Sequence, residues 1–165
     1  MSSNENMLFK NRIMFPILSF RNDVIAYGGR SIDDFGPKYL NSSDSVLYKK
    51  NRNLYFTKEF ITETKKKGYV FLVEGYFDVI SMHQAGFKNT VGTLGTAISS
   101  SHFLQLERIG REIIFMFDGD AAGKRAAWRA AQIVLTNLNK QDMLISCILY
   151  TTDAADEQRS VDLGG

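Results

Sequence analysis

The sequence contains little cysteine, proline and histidine, and the shortage of cysteine and histidine excludes certain covalent links and metal sites. Its 165 residues include one cysteine, two prolines and two histidines. A single cysteine rules out an internal disulfide, and its place in the run "MLISCILY" predicts that Cys147 is a small core residue. His83 and His102 have no Cys or His partner at metal-ligand spacing, so we expect no zinc site in this chain.

Long apolar runs are also missing. No stretch approaches the ~20 apolar residues that a membrane helix needs, and the start "MSSNENMLFKN" has no hydrophobic signal core. The sequence therefore predicts a cytoplasmic protein that does not bind membranes. A chain of this length with 44% hydrophobic residues can bury roughly 70% of its unfolded surface, which is enough for one compact domain with a small annex.

Charge is unevenly distributed, although the net charge is only +2. Residues 1–67 hold twelve Lys and Arg against seven acids, whereas residues 68–165 hold eight against eleven. A basic part suits a polyanionic partner, and an acidic part suits a bound cation. The alternative is that these side chains simply form a solvated surface, which is the commoner use of charge.

The first 60 residues predict short strands and turns. "RIMFPIL" and "DVIAYGG" are typical of two strands joined by a turn, and "GPKYLNSSDS" predicts a loop. A helix beginning near Thr57 should end in the basic run at 65–67. From residue 69 onward, apolar strands alternate with helices, which favours a parallel sheet covered on both faces.

Acidic residues follow two of the predicted parallel strands, at the edge where such sheets bind ligands. Glu74 follows the strand "YVFLV", and Asp118 and Asp120 follow another in the motif "DGD". Crowded carboxylates repel one another unless a hard cation such as Mg²⁺ lies among them. Continuous extended backbone through "DGD" would aim both aspartates to one side. The alternative is that one aspartate is only the N-cap of the next helix.

Three motifs identify a family resemblance. "LVEGYFDVI", "VGTLGTA" and "IFMFDGDAAGKRAAWRA" resemble the successive acidic motifs of the Toprim domain in bacterial DnaG-type primases. Upstream, "FKNRIMFPI", "AYGGRSI", "PKYLNSSDS" and "LYKKNRNLY" are similar to the basic segments that precede Toprim in the primase RNA polymerase domain. The resemblance covers the chain from about Leu8 to Tyr150 and implies an α/β Toprim fold preceded by a small mixed β annex.

The resemblance also implies a division of the chain. Residues 1–7 form an N-terminal extension, residues 8–67 the basic β-rich annex, and residues 68–158 the Toprim domain. The tail "RSVDLGG", residues 159–165, has no counterpart in the family and is compatible with a cloning remnant.

Roles for the acidic residues follow from the resemblance. Glu74, Asp118 and Asp120 are implied to be catalytic residues and ligands of Mg²⁺ or Mn²⁺, with Glu74 either binding metal or helping to deprotonate the attacking 3′ hydroxyl. Asp78 is implied to support the metal site, or alternatively only occupies the first turn of a helix. The third acidic motif departs from the family pattern, so Asp153 and Asp156 are either further metal ligands or a solvated acidic tail.

The basic annex is implied to contact template, primer or nucleotide. The tyrosine among its candidates would stack on bases, although tyrosines are more often core or rim residues. The candidate contacts are Arg12, Arg30, Lys38, Tyr39, Lys50 and Arg52.

The implied activity is that of a DNA primase, a DNA-dependent RNA polymerase that makes short RNA primers on single-stranded DNA. Its implied partners are the template, the RNA primer, nucleoside triphosphates and, through a region absent here, the replicative helicase. We expect this fragment by itself to be weakly active or inactive. Two alternatives remain open: a non-catalytic Toprim module that binds nucleic acid or nucleotide, and a fragment of a Toprim nuclease or topoisomerase.

Overall fold

The computed structural model describes residues 9–33, 36–137 and 144–150. The strands in these ranges are β1 (Arg12–Leu18), β2 (Val24–Ser31), β3 (Tyr39–Asn41), β4 (Tyr69–Val73), β5 (Thr90–Gly92), β6 (Glu112–Asp118) and β7 (Leu144–Tyr150). The helices are α1 (Phe60–Lys67), α2 (Tyr76–Gln84), α3 (Ser100–Glu107) and α4 (Ala121–Asn137). None of these helices combines the length and apolarity needed to cross a bilayer.

The strands form two sheets. β1, β2 and β3 make an antiparallel sheet, and β5, β4, β6 and β7, in that order, make a parallel one. The register of the parallel sheet sets Leu72 beside Phe115 and Phe115 beside Cys147. The α/β fold with a parallel sheet and a β annex, expected from the sequence, is therefore confirmed.

Glycines end two of the helices where the sequence places them. Gly68 follows the basic last turn of α1 with φ 82°, and its N–H donates to the Thr64 carbonyl. Gly86, two residues after the end of α2, has a φ of 92°. Both φ angles lie in the left-handed region, which glycine adopts without the steric cost of a Cβ.

Two local expectations are wrong. The segment predicted as a loop contains β3, in which Leu40 pairs with Gly29 of β2. Its turn-forming composition is overridden by pairing with a strand that is distant in sequence. Cys147 is exposed rather than buried, because β7 lies at the edge of the parallel sheet.

The hydrophobic core extends across the two parts of the chain. Phe56 and Phe60, from the basic part, pack in one cluster with Leu72 and Phe115 of the parallel sheet. α3 and α4 complete this side of the sheet with side chains that include Phe103 and Val134. On the other side α2 packs against the sheet, so the parallel sheet carries helices on both faces.

An aromatic contact joins the antiparallel sheet to α2. Tyr76, the first residue of α2, stacks on Phe15 of β1 at 5.0 Å between ring centroids and meets Tyr55 edge-on at 4.7 Å. Its hydroxyl donates a hydrogen bond to the Asn41 side chain. Gly28 leaves room for this ring, since a Cβ there would lie 2.5 Å from the Tyr76 Cζ.

We expect Gly28→Ala to lower the free energy of unfolding by about 1 to 3 kcal/mol, because the added methyl group overpacks the buried Tyr76 ring. Adding Tyr76→Phe should recover part of this loss, since the phenolic oxygen is the atom that the methyl group overlaps. Urea unfolding of both single variants and the double variant measures the coupling. Strictly additive losses would mean that Gly28 is not required by the Tyr76 ring.

Candidate active site

Two carboxylates lie at the carboxyl ends of neighbouring parallel strands. Glu74 directly follows β4, and Asp118 is the last residue of β6. The two strands are hydrogen-bonded neighbours in register, so their ends meet at the same edge of the sheet. Asp120 follows two residues after Asp118, and Asp78 lies in the first turn of α2.

These carboxylates act on one another electrostatically. Partial burial raises the pKa of Glu74, and the negative charges of Asp118, Asp78 and Asp120 raise it further. The pKa of Asp78 is also raised, mainly by burial and additionally by Asp118, against a lowering effect of its hydrogen bond to Gly75. The structure therefore places Asp118, Asp78 and Asp120 near enough to Glu74 for their negative charges to raise its pKa.

Asp120 is the N-cap of α4. Its Oδ1 accepts a hydrogen bond of 2.7 Å from the Gly123 N–H, and its carbonyl accepts one from Lys124. The capping alternative is thus correct for Asp120. The expectation of continuous extended backbone through "DGD" is wrong, because β6 ends at Asp118 and the chain bends at 119 and 120.

Asp78 makes the reverse contact at the start of α2, from the third helical position back to the N-cap residue. Its Oδ2 accepts a hydrogen bond of 2.9 Å from the Gly75 N–H, which closes the N-terminus of α2. Asp78 therefore occupies the first turn of α2, as the alternative has it, and Asp118 contributes to its raised pKa. Support of a metal site by Asp78 stays a prediction.

Gly123 fixes the bend between the strand and the helix, and the sequence analysis missed it. A Cβ at this position would overlap the Asp118 carbonyl oxygen and lie 2.8 Å from the carbonyl carbon. Only glycine lets the first turn of α4 approach the end of β6 so closely. The available signal was a glycine in the first turn of an alanine-rich helix, where it costs helix stability for no local benefit.

A cavity of about 700 Å³ lies between β3 and the start of α2. Its wall includes Tyr39 and Lys50 on one side and Glu74 and Asp78 on the other. Two residues predicted from the basic annex are therefore brought next to two of the predicted acids.

Arg30 lies beside this cavity. Its guanidinium sits 4.5 Å from the ring centroid of Phe77 and 5.8 Å from that of Tyr39, and both rings line the cavity. Such stacking holds the cation in place without neutralising it. Arg30 therefore contributes positive charge behind two rings that line the cavity, without lining it itself.

The other basic candidates lie elsewhere. Arg12 donates a 2.7 Å hydrogen bond to the Pro37 carbonyl and so supports the loop before β3. Lys38 and Arg52 are exposed and do not line the cavity. Arg52 instead accepts a hydrogen bond from Gln105 of α3 through its carbonyl. Asp153 and Asp156 lie outside the described residues.

The chemistry of the acids fits a hard divalent cation. All the donors are carboxylate oxygens, the type that Mg²⁺ takes while keeping several of its waters. A cation among them would relieve the repulsion that raises the pKa of Glu74. Within the described ranges, no group of three or more His, Cys, Asp or Glu side chains is placed so that it could hold a metal ion.

Two family models match successive parts of the chain. The model described as DNA primase catalytic core, N-terminal domain, matches residues 2–61, and the model described as Toprim domain matches residues 68–149. The two matches follow the division between the antiparallel sheet and the parallel sheet.

Individual relatives agree with these matches. A DNA primase from Rickettsia bellii is 46% identical over 134 residues, which cover 81% of this chain and 22% of the relative. The crystal structure of a DNA primase domain from Pseudomonas aeruginosa has a TM-score of 0.81 at 42% identity, over 87% of this chain and 44% of that one. A DnaG primase catalytic domain bound to single-stranded DNA has a TM-score of 0.81 at 34% identity, over 88% and 45%. The chain thus spans between a fifth and a quarter of its curated relatives.

Gly123→Ala should destabilise the protein by more than about 1 kcal/mol, although Gly→Ala in a helix normally stabilises by about that amount. The reversal is expected because the new Cβ collides with the backbone of Asp118. Thermal or urea unfolding shows whether the substitution lowers or raises the free energy of unfolding. Ala122→Gly, at the exposed neighbouring position of the same helix turn, is the control and should cost only about 0.5 to 1 kcal/mol. A stabilised Gly123→Ala protein would show that the bend tolerates a side chain.

Proposed function

The chain belongs to the family of bacterial DnaG-type DNA primases, and on this premise we propose that it forms part of a centre that makes short RNA primers on single-stranded DNA. The observation that carries the proposal is the 700 Å³ cavity, whose wall holds Tyr39 and Lys50 together with Glu74 and Asp78. Lys50, which lines the cavity with Asp44, supplies a cation for phosphates, while Glu74 and Asp78 suit a bound cation.

The acids would hold divalent cations in this centre. Glu74, Asp118 and the second oxygen of Asp120 are the proposed ligands of Mg²⁺ or Mn²⁺, while the first oxygen of Asp120 caps α4. When bound, the metal neutralises triphosphate charge and lowers the pKa of the attacking 3′ hydroxyl. Asp78 adds negative charge beside this group, and its hydrogen bond to Gly75 fixes the start of α2. Asp153 and Asp156 are proposed as further ligands.

Glu74 is also suited to accept a proton. Burial and the neighbouring carboxylates raise the pKa of Glu74, which makes its carboxylate a better base than an isolated glutamate. It lines the cavity that we assign to the primer end and nucleotide. We therefore assign to Glu74 either metal binding or acceptance of the proton from the 3′ hydroxyl.

The annex side of the cavity would hold nucleic acid or nucleotide. Tyr39 is 43% exposed and offers a ring face for base stacking. Lys50 and the stacked Arg30 supply positive charge for phosphates. Lys38 and Arg52 are exposed further from the acids and are assigned to the strand beyond the cavity. Arg12 is assigned to phosphate contact as well as to support of the loop before β3.

The proposed partners are a single-stranded DNA template, an RNA primer, nucleoside triphosphates and the replicative helicase. The DnaG catalytic domain similar to this chain is bound to single-stranded DNA, which supports the template assignment. Helicase contact would use a part of the relatives that this chain does not span. Since the chain spans less than a quarter of those relatives, we expect little primer synthesis from it unaided.

Asp118→Asn should weaken Mn²⁺ binding at least as much as loss of an outer-shell partner does, which is about 10- to 100-fold. Calorimetric titration with Mn²⁺ measures the affinity for the metal, and a second titration with a nucleoside triphosphate at saturating Mn²⁺ measures the affinity for the nucleotide. Glu107→Gln is the control, because Glu107 ends α3, away from the carboxyl edge of the sheet, and should bind both ligands normally.

The same Asp118→Asn protein should be as stable as wild type without metal, or more stable by less than about 1 kcal/mol, because a repelling charge is removed and solvent screens exposed pairs. The gain should be present at neutral pH. It should shrink as the pH falls through the raised pKa of Glu74, since protonation relieves the same repulsion. Nucleotide binding that survives in Asp118→Asn would favour the non-catalytic binding module.

Lys50→Ala should weaken binding of a short single-stranded DNA, because it removes a cation from the cavity wall. The slope of log affinity against log salt should fall in magnitude by about 0.7 to 1, as expected for one lost phosphate contact. Fluorescence anisotropy at several salt concentrations gives both quantities. Lys66→Ala, an exposed change on α1, is the matched control and should leave the slope unchanged. Equal slopes for the two variants would contradict the assignment of Lys50.

A further inference from the structure

A short turn in the annex carries three cations. Residues 49–53, "KKNRN", form this turn, here called the basic turn, and it includes Lys50 of the 700 Å³ cavity and the exposed Arg52. The N–H groups of Arg52 and Asn53 both donate to the Lys49 carbonyl, at 2.9 Å each. These bonds set the shape of the basic turn, whereas its position depends on contacts with the rest of the chain.

Asp44 anchors the start of the basic turn. Its Oδ1 accepts a hydrogen bond of 3.1 Å from the Lys50 N–H, and its Oδ2 lies 3.7 Å from the Lys49 Nζ. The Lys50 ammonium, in contrast, forms no salt bridge with any residue in the described part of the chain. Asp44 is thus engaged by the Lys50 backbone and the Lys49 side chain, and the Lys50 side chain remains available to a phosphate.

Two side chains at α3 hold the basic turn by its carbonyl groups. The Ser99 hydroxyl donates to the Asn51 carbonyl at 2.9 Å, and the Gln105 Nε2 donates to the Arg52 carbonyl at 2.6 Å. Two successive carbonyl groups of the turn therefore face α3. The contacts join segments of the chain that are about fifty residues apart, so they form only when the annex docks on the parallel sheet and its helices.

The helix that makes these contacts is itself well fixed. Phe103 of α3 is buried in the core cluster of the parallel sheet. Ser99 is the N-cap of α3, and its Oγ accepts a hydrogen bond of 3.3 Å from the His102 N–H. The Gln105 amide group also donates to the Ser101 carbonyl one turn earlier, at 3.0 Å. Because both side chains are tied to their own helix, they form a rigid support for the groups they hold.

We propose that Ser99 and Gln105 are positioning residues, which order the basic turn before a single-stranded nucleic acid binds to its cations. Neither side chain lines the larger cavity, of about 700 Å³, or the smaller one, of about 250 Å³, beside Glu74, so both act through the turn. Ordering a mobile side chain or loop on binding costs affinity, and a turn that is already ordered avoids this cost. The inference rests on the proposed function, in which Lys50 and Arg52 contact nucleic acid.

Gln105→Ala tests this role by fluorescence anisotropy with a short single-stranded DNA at several salt concentrations. The affinity should fall about two- to tenfold, the range expected when one further side chain must be ordered on binding. The slope of log affinity against log salt should stay unchanged, because no cation is removed. Gln132→Ala, at an exposed position of α4, is the matched control and should bind as wild type does.

Ser99→Gly provides a second variant, which removes the other hydrogen bond to the basic turn. Glycine at an N-cap costs little relative to serine, so α3 should still form. The affinity for the same DNA should again fall about two- to tenfold with an unchanged salt slope. Urea unfolding of both variants measures whether each is folded under the titration conditions.

A double-variant cycle separates positioning of the cations from a general loss of structure. In a protein that carries Lys50→Ala and Arg52→Ala, adding Gln105→Ala should weaken binding less than about twofold further, measured at low salt where the affinity is highest. An equal loss with and without these cations, or wild-type affinity of either single variant, would overturn the inference and leave the proposed function intact. Wild-type affinity of the protein without Lys50 and Arg52 would overturn both.

Discussion

The contact of Tyr76 with the antiparallel sheet sets the geometry on which the candidate site depends. Tyr76 opens the helix that follows Glu74, and it is held by stacking on Phe15 and by a hydrogen bond to Asn41. Because the ring is almost fully buried, it fixes the start of α2 relative to the annex. The position of Asp78, and the width of the larger cavity between annex and acids, follow from that one junction.

The acids near the carboxyl ends of β4 and β6 affect both the helix starts and the local electrostatics. Asp78 and Asp120 each use one carboxylate oxygen to cap a helix, which holds them in place despite the repulsion around them. Capping by an acid also agrees with the helix dipole, so part of the repulsion is offset locally. Glu74 lacks such a cap, and burial together with three like charges raises its pKa. Either protonation of Glu74 or a bound cation would relieve the repulsion at this edge.

The sequence predicts most of the fold but only part of the site. Continuous apolar segments and helix-ending residues are local signals in the sequence. They are enough to predict β4, β6 and α4, together with the acids that follow the two strands. β3 could not, because its residues favour turns and become a strand only by pairing with β2. Gly123 was missed for the same kind of reason. Its importance lies in what surrounds it after folding, namely the Asp118 backbone.

The larger cavity beside Glu74 is consistent with one requirement of phosphoryl-group transfer. The attacking and leaving oxygens must lie roughly in line on opposite sides of the reacting phosphorus. The cavity takes its wall from the annex and α2 as well as from Glu74, so on the proposed function a primer end and a nucleotide approach the acids from the annex side. Glu74 then lies where the attacking 3′ hydroxyl arrives, which agrees with its proposed role in binding metal or accepting that proton.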